Sequence, residues 1–140
     1  MVIQNISRPA VAGIVNAVCV DVVDLGVLDT MWGPRHRVRF IFETDQRNTF
    51  GDLIRLVRTY NASLHEKGAL YRDLGTWRGE DFVKKMAQHG FDTETMVGEP
   101  CQLKVEPTTT KEGDVFHNIM GITPPGSVTL KPSGQYQRVN

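Results

Sequence analysis

The fold is decided by one alternating stretch, Arg35-His36-Arg37-Val38-Arg39-Phe40-Ile41-Phe42-Glu43. Residues of a β-strand point alternately to its two faces. One face would carry three arginines followed by Ile41 and Glu43, whereas Val38, Phe40 and Phe42 make the other largely apolar. Three like charges about 7 Å apart repel one another. We therefore expect the central strand of a small β-barrel, with an outer face that meets anionic charge. A solvated face with incidental arginines is the alternative.

The composition fits one soluble domain with a real hydrophobic core, since 40% of the 140 residues are hydrophobic and 23% are charged. Sixteen basic and sixteen acidic side chains cancel, so the net charge gives no sign of a nucleic-acid partner. The charge is unevenly distributed, because six arginines and only three acidic residues lie between Arg35 and Tyr60. Such a local patch can attract an anion even at zero net charge.

The two cysteines, Cys19 and Cys101, lie in apolar, strand-like runs without a CxxC motif. We expect buried thiols in a reducing compartment, with a disulfide as the alternative. No apolar run reaches the roughly 20 residues that span a bilayer, and the N-terminus lacks the apolar region of a signal peptide. We therefore expect a cytoplasmic protein without membrane contact.

The hydrophobic pattern predicts three strands, a helical insertion and two further strands. The predicted strands are residues 11–25, 35–45, 53–62, 100–107 and 114–123. Ser63 to Glu66 fits a capping box that begins a first helix at Leu64, and residues 79–89 have the spacing of a second. Residues 26–34 are predicted to be a connection with Trp32 at its tip.

This order of elements is that of the OB-fold, a five-stranded, partly open Greek-key barrel, here with its helix between strands 3 and 4. We expect a mostly β (α+β) protein of this type, and a generic α+β sandwich of the same order is the alternative. The predicted domain covers residues 11–123. A mobile lead-in at residues 1–10 precedes it, and a flexible tail at residues 124–140 follows it.

The sequence contains no recognisable catalytic or metal-binding motif. Its four histidines are scattered, His65-Glu66 lacks the second histidine of HExxH, and GxSxG, Walker and GxGxxG motifs are absent. The cysteines are placed in strands, away from a helix N-terminus that would favour a thiolate. We therefore expect a protein that is not an enzyme and holds neither a metal nor a cofactor.

A binding function is better supported by the residue pattern. Single-stranded nucleic acid is held by a basic groove and by aromatic rings on which bases stack. In OB-folds, strands 2 and 3 and the loops between strands 1–2 and 4–5 form that surface. Arginine suits the role because its guanidinium group binds phosphate bidentately and stacks on bases. The predicted nucleic-acid-binding residues are Trp32, Arg35, Arg37, Arg39, Arg55, Arg58, Tyr60, Lys104, Lys111 and Phe116.

Several stretches also resemble a family of small phage and prophage OB-fold proteins that bind single-stranded DNA in replication or recombination. They cover most of residues 15–123 and are Cys19-Val20-Asp21-Val22-Val23-Asp24-Leu25-Gly26, Trp32-Gly33, Tyr60-Asn61-Ala62-Ser63-Leu64-His65-Glu66-Lys67, Leu74 to Trp77-Arg78-Gly79, Gly90-Phe91-Asp92 and Val97-Gly98-Glu99-Pro100-Cys101. The resemblance implies an OB-fold, non-specific binding of single-stranded DNA without catalysis, and a place in the cytoplasm of a bacterial host beside replication or recombination proteins.

One other function stays open at this point. The same barrel could serve as a non-catalytic protein-interaction or assembly module, with its arginine strand facing an acidic partner. The oligomeric state is also open, because barrels of this size occur as monomers and as homo-oligomers.

Overall fold

The computed structural model describes residues 11–139, so the lead-in predicted at residues 1–10 lies outside the described part of the chain. The elements, in chain order, are β1 (Gly13–Thr30), β2 (Gly33–Arg47), β3 (Leu53–Asn61), α1 (Ala69–Arg78), α2 (Glu80–His89), a 3₁₀ turn (Thr93–Met96), β4 (Pro100–Thr109) and β5 (Val115–Thr123). The predicted order of three strands, helices and two strands is confirmed. Within this part of the chain, no helix is long and apolar enough to cross a membrane.

All five strands belong to one antiparallel sheet with the order β3-β2-β1-β4-β5. The sheet is not closed, since β3 and β5 are its two edges and no backbone ladder joins them within the described residues. A hydrogen bond that the Arg58 side chain of β3 donates to the carbonyl of Ile119 in β5 bridges these two edges. A mostly β fold with helices between β3 and β4 is therefore confirmed, whereas closure into a barrel is not observed.

The long strand β1 joins the two halves of the sheet and is bent along its length. Its ladder with β2 is interrupted by irregularities between Cys19 and Asp21 and between Asp24 and Gly26. Bulges of this kind bend a strand and increase its twist. Gly26 stands at the second one with φ 71°, a conformation that side-chain-bearing residues rarely adopt. The face of the sheet that packs against α1 is the core face, and the opposite one is the outer face.

The core lies on the face of β2 that the alternation predicted. Val38, Phe40 and Phe42 are all buried there. Helix α1 packs over them through Trp77, whose ring centroid lies 5.8 Å from that of Phe42. The indole N–H of Trp77 donates to the carbonyl of Pro100 at 2.9 Å, so the one polar atom of this large ring is satisfied inside the core.

The capping box predicted at Ser63 is wrong, because α1 begins at Ala69. The Ser63 hydroxyl accepts the amide of His65, not that of Glu66, in a non-helical turn. The residue before the helix, Gly68, is extended (φ −78°, ψ 155°) and contributes no side-chain cap. A glycine loses more backbone freedom in a helix than any other residue, and this cost favours a start after position 68.

The chain after β5 returns across the outer face of the sheet. We term residues 130–139 the strap; they have no regular secondary structure. Leu130 and Tyr136 of the strap pack against Val18, Val20 and Ile41 of β1 and β2. This differs from the expectation of a tail without fixed structure, because an apolar patch on the outer face gives these two side chains a place to pack.

Candidate nucleic-acid interface

The arginine row, defined as Arg35, Arg37 and Arg39, lies on the outer face of β2. Arg35 donates to the carbonyl of Pro34 at 2.9 Å, and Arg37 donates to the side-chain oxygen of Asn61 at 2.7 Å. None of the three pairs with a carboxylate among the residues that the structure describes. Their positive charges are therefore available to an anion from outside the chain.

Next to Arg37 and Arg39, β1 and β2 project from the sheet as a two-stranded arm, residues 26–35, which includes Arg35. The ladder of β1 with β4 ends at Val18, and the ladder of β2 with β3 begins only at Arg37. Over the arm the two strands pair with each other, as Leu28 does with Arg35. The connection predicted at residues 26–34 is therefore shorter than expected, since only residues 31 and 32 lie between the strands, with Trp32 at the tip as predicted. Glycines at positive φ, Gly26 and Gly33, let a hairpin form where they had suggested a loop.

Trp32 occupies the tip of the arm. It forms a two-residue turn with Met31, and 76% of its surface is exposed. The hydroxyl of Thr30 accepts the amide of Trp32 at 3.1 Å and donates to the carbonyl of Gly33 at 2.7 Å, which fixes the turn. The indole ring thus stands in solvent three residues from Arg35, where a base could stack on it.

The predicted β3 residues divide between the two faces of the sheet. Arg58 and Tyr60 belong to the core side, so the prediction that they contact nucleic acid is not supported. Tyr60 is only 2% exposed, and its hydroxyl donates to Asp73 of α1 at 2.6 Å. Burial, together with the nearby Asp73 carboxylate, raises the pKa of Tyr60. The Arg58 guanidinium lies 3.1 Å from the same carboxylate, so it is already paired.

Arg55 does lie on the outer face, since it is opposite Glu43 in the ladder. Its guanidinium is placed 5.1 Å above the ring of Tyr136 in the strap, and it donates to the carbonyl of Gln135 at 3.4 Å. Arg55 is therefore an exposed residue at the covered end of the outer face, beyond the open arginine row.

Lys104, Lys111 and Phe116 are exposed, but the structure does not bring them to the arginine row. Lys104 is opposite Ile14, near the start of β1, whereas Arg39 is opposite Val23, nine residues farther along the same strand. Lys111 and Phe116 belong to the β4–β5 hairpin, which extends beyond that start. This separation depends on the register between strands that are distant in sequence. The local sequence pattern does not reveal that register.

Two carboxylates under the strap were missed as part of this face. Asp21 is fully buried and accepts hydrogen bonds from the Tyr136 hydroxyl (2.9 Å), the Arg138 guanidinium (3.0 Å) and the Val139 amide (3.0 Å). Burial alone would raise the pKa of Asp21, but these hydrogen bonds, with the one from Val139 first, outweigh it and lower the pKa. Glu43 accepts from the amide and the hydroxyl of Ser133, both at 2.8 Å. The only signal in the sequence was the position of Glu43 on the arginine face.

A separate groove of about 420 Å³ lies at the base of the arm. Val22, Val38 and Leu70 are among its apolar lining residues, and a hydrogen bond between the side chains of His36 and Asp24 (2.6 Å) lies beside them. The hydrogen bond from the Gly26 amide, followed by that from His36, lowers the pKa of Asp24. No cluster of metal-ligating side chains was found among residues 11–139.

The two cysteines are free and buried, as the first of the two alternatives predicted. Burial raises the pKa of Cys19 to about 12 and also raises that of Cys101. Both thiols are therefore protonated at neutral pH, and neither has the thiolate character of a nucleophile.

The chain matches no protein-family model, no curated protein and no solved structure.

Proposed function

We propose that the protein binds single-stranded DNA without sequence preference, through the arginine row and Trp32. The guanidinium groups bind backbone phosphates, and the indole ring stacks on a base. This kind of binding requires positive charge and aromatic rings on which bases stack, and it requires no catalytic group. We therefore propose that the protein is not an enzyme.

The observation that carries the proposal is an unpaired row of arginines beside an exposed tryptophan. Three guanidinium groups on one strand repel one another, and no described carboxylate pairs with them. A polyanion relieves that repulsion. Trp32 adds about 1–3 kcal/mol if one base stacks on it.

We also propose that the open sheet is a variant of the OB-fold. Two features support this assignment: the helices lie between β3 and β4, and the long, bent β1 is shared by both halves of the sheet. Together with the resemblance of the Tyr60–Lys67 and Leu74–Gly79 stretches, they favour a role in phage or prophage DNA replication or recombination. Such a role would place the protein in the cytoplasm of a bacterial host, in contact with other proteins of these processes.

Intrinsic fluorescence offers a direct test, because the two tryptophans differ in exposure. Trp32 is exposed and Trp77 is buried, so stacking on oligo-dT should quench Trp32 alone. We expect saturable quenching at about 50 mM salt that fades as salt is added, with a log–log slope of about −2 for three phosphate contacts. Trp32→Phe should abolish the quenching, and the remaining emission of buried Trp77 supplies the internal control. The proposal would be overturned if, at 50 mM salt, oligo-dT neither quenches Trp32 nor shows a change in the fluorescence anisotropy of a dye-labelled oligonucleotide.

A second candidate function is a protein-interaction module centred on the arm. Val27, Met31 and Trp32 expose 68%, 87% and 76% of their surfaces, and exposed apolar patches mark contacts between proteins. An acidic partner with apolar side chains would fit the arm and the arginine row together. This function predicts a complex or homo-oligomer in light scattering and no binding of oligo-dT at low salt.

A further inference from the structure

The strap holds two carboxylates of the outer face. The buried carboxylate of Asp21 receives three hydrogen bonds, from Tyr136, Arg138 and Val139, and that of Glu43 receives two from Ser133. All five donors belong to the strap. The carboxylates and the strap therefore form one unit of the structure.

Docking of the strap changes the charge of this face. The strap contains two basic residues, Lys131 and Arg138, and no acidic residue. Asp21 and Glu43 together carry two negative charges at neutral pH. With the strap in place the formal charges of these four side chains sum to zero, and without the strap the two carboxylates leave a local charge of −2 beside the arginine row.

These carboxylates are close to the proposed binding site. Asp21 is opposite Ile41, the next outer-face residue of β2 after Arg39, and Glu43 is the one after that. The spacing of a β-strand puts them on average about 10 Å from a phosphate bound at Arg39. Two unit charges at that distance in water change the affinity of an anion about fourfold.

We propose that the strap is a working part of the anion-binding face, and that its docking and the binding of single-stranded DNA strengthen each other. This inference rests on the proposed function. The docked strap cancels the two carboxylates beside the arginine row, so DNA binds the docked form more tightly. By linkage, bound DNA must favour docking by the same factor.

The test uses a variant that undocks the strap without changing its charge. Leu130→Ala with Tyr136→Ala removes the two apolar anchors, and faster hydrogen exchange at the Ser133 and Val139 amides reports undocking. A chain ending at Gly126 is the second undocked form. Salt at 50 mM roughly halves this Coulomb term over 10 Å, so we expect both to bind oligo-dT about twofold more weakly than the full chain.

Rescue separates the proposal from a merely structural role of the strap. Adding Asp21→Asn and Glu43→Gln to the undocked chain should restore the affinity. The matched control is Glu66→Gln with Asp81→Asn, which makes the same change in charge at exposed sites away from this face. Equal rescue by both pairs would overturn the inference, as would tighter binding by the undocked chain, which would mean that the strap competes with DNA.

A second polyanion distinguishes failure of this inference from failure of the proposed function. If the full chain does not bind oligo-dT, the proposed function fails, and elution from immobilised heparin still measures the anion affinity of the face. Earlier elution of the undocked chain, reversed by Asp21→Asn with Glu43→Gln, would support the charge role of the strap. Unchanged elution would contradict it.

Discussion

Asp73 of helix α1 is the link between the helices and the β3 edge, and its replacement by asparagine should destabilise the protein. The buried carboxylate accepts from the Tyr60 hydroxyl at 2.6 Å and lies 3.1 Å from the Arg58 guanidinium. Arg72 approaches its other oxygen at 3.3 Å. Asp73→Asn keeps the volume and one acceptor oxygen but leaves the Arg58 guanidinium without its charge partner.

The magnitude follows from how deeply each partner is buried. Breaking a fully buried ion pair by removing one partner costs about 3–5 kcal/mol. The Arg58 side chain remains 23% exposed, so water compensates part of the loss. We therefore expect a loss of about 2–3 kcal/mol in the free energy of unfolding. The matched control, Asp52→Asn at an exposed position, should change it by less than about 0.5 kcal/mol.

Urea unfolding followed by the fluorescence of buried Trp77 measures the effect. With a slope of about 2 kcal/mol/M, the midpoint of Asp73→Asn should fall by about 1 M or more, while the slope stays unchanged. Oligo-dT affinity of the folded variant should stay within about twofold of the parent, because Arg58 and Tyr60 face the core. A stability loss as small as that of Asp52→Asn would refute the role of Asp73. A large loss of oligo-dT affinity in the folded variant would instead show that Arg58 and Tyr60 contribute to binding.

Three further predictions concern the arm, the strap and the thiols. Trp32→Ala should weaken oligo-dT binding by about 1–3 kcal/mol without lowering the urea midpoint, since the ring contributes to stacking and not to the core; a lowered midpoint would place it in the fold. Protection of the Val139 amide should be constant above about pH 4 and be lost below it, because a carboxyl group with a lowered pKa stabilises the docked strap until that pKa is passed on acidification; in Asp21→Asn this step should vanish. Cys19 and Cys101 should react with a thiol reagent only on unfolding, and rapid reaction of the native protein would show that they are not buried.

The elements themselves were predictable where the pattern is local. The alternation in β2 sets both of its faces, because burial of Val38, Phe40 and Phe42 forces the arginines outward. The same period places Arg58 and Tyr60 together in β3. Their assignment to the core required the ladder between β2 and β3, in which Tyr60 is opposite Val38.

The parts that escaped prediction depend on contacts between distant segments. The strap has little regular pattern, and its docking depends on Asp21 and Glu43, 90 or more residues earlier in the chain. By residue type, Lys104 and Phe116 were as plausible for nucleic-acid binding as the arginines. The register of β4 and β5 places them far from the arginine row. The length of the arm could not be predicted either, since glycines at residues 26 and 33 are as typical of loops as of hairpins.

The measurement that tests the central claim most directly is oligo-dT titration of two charge-reversal variants. Arg37→Glu with Arg39→Glu alters the arginine row, and Lys104→Glu with Lys111→Glu makes the same change in net charge on β4 and the connection after it. Loss of two phosphate contacts at 50 mM salt weakens binding by about 60-fold, so we expect at least that loss for the first variant and less than about threefold for the second. Equal losses in the two variants, or unchanged binding in the first, would contradict the account.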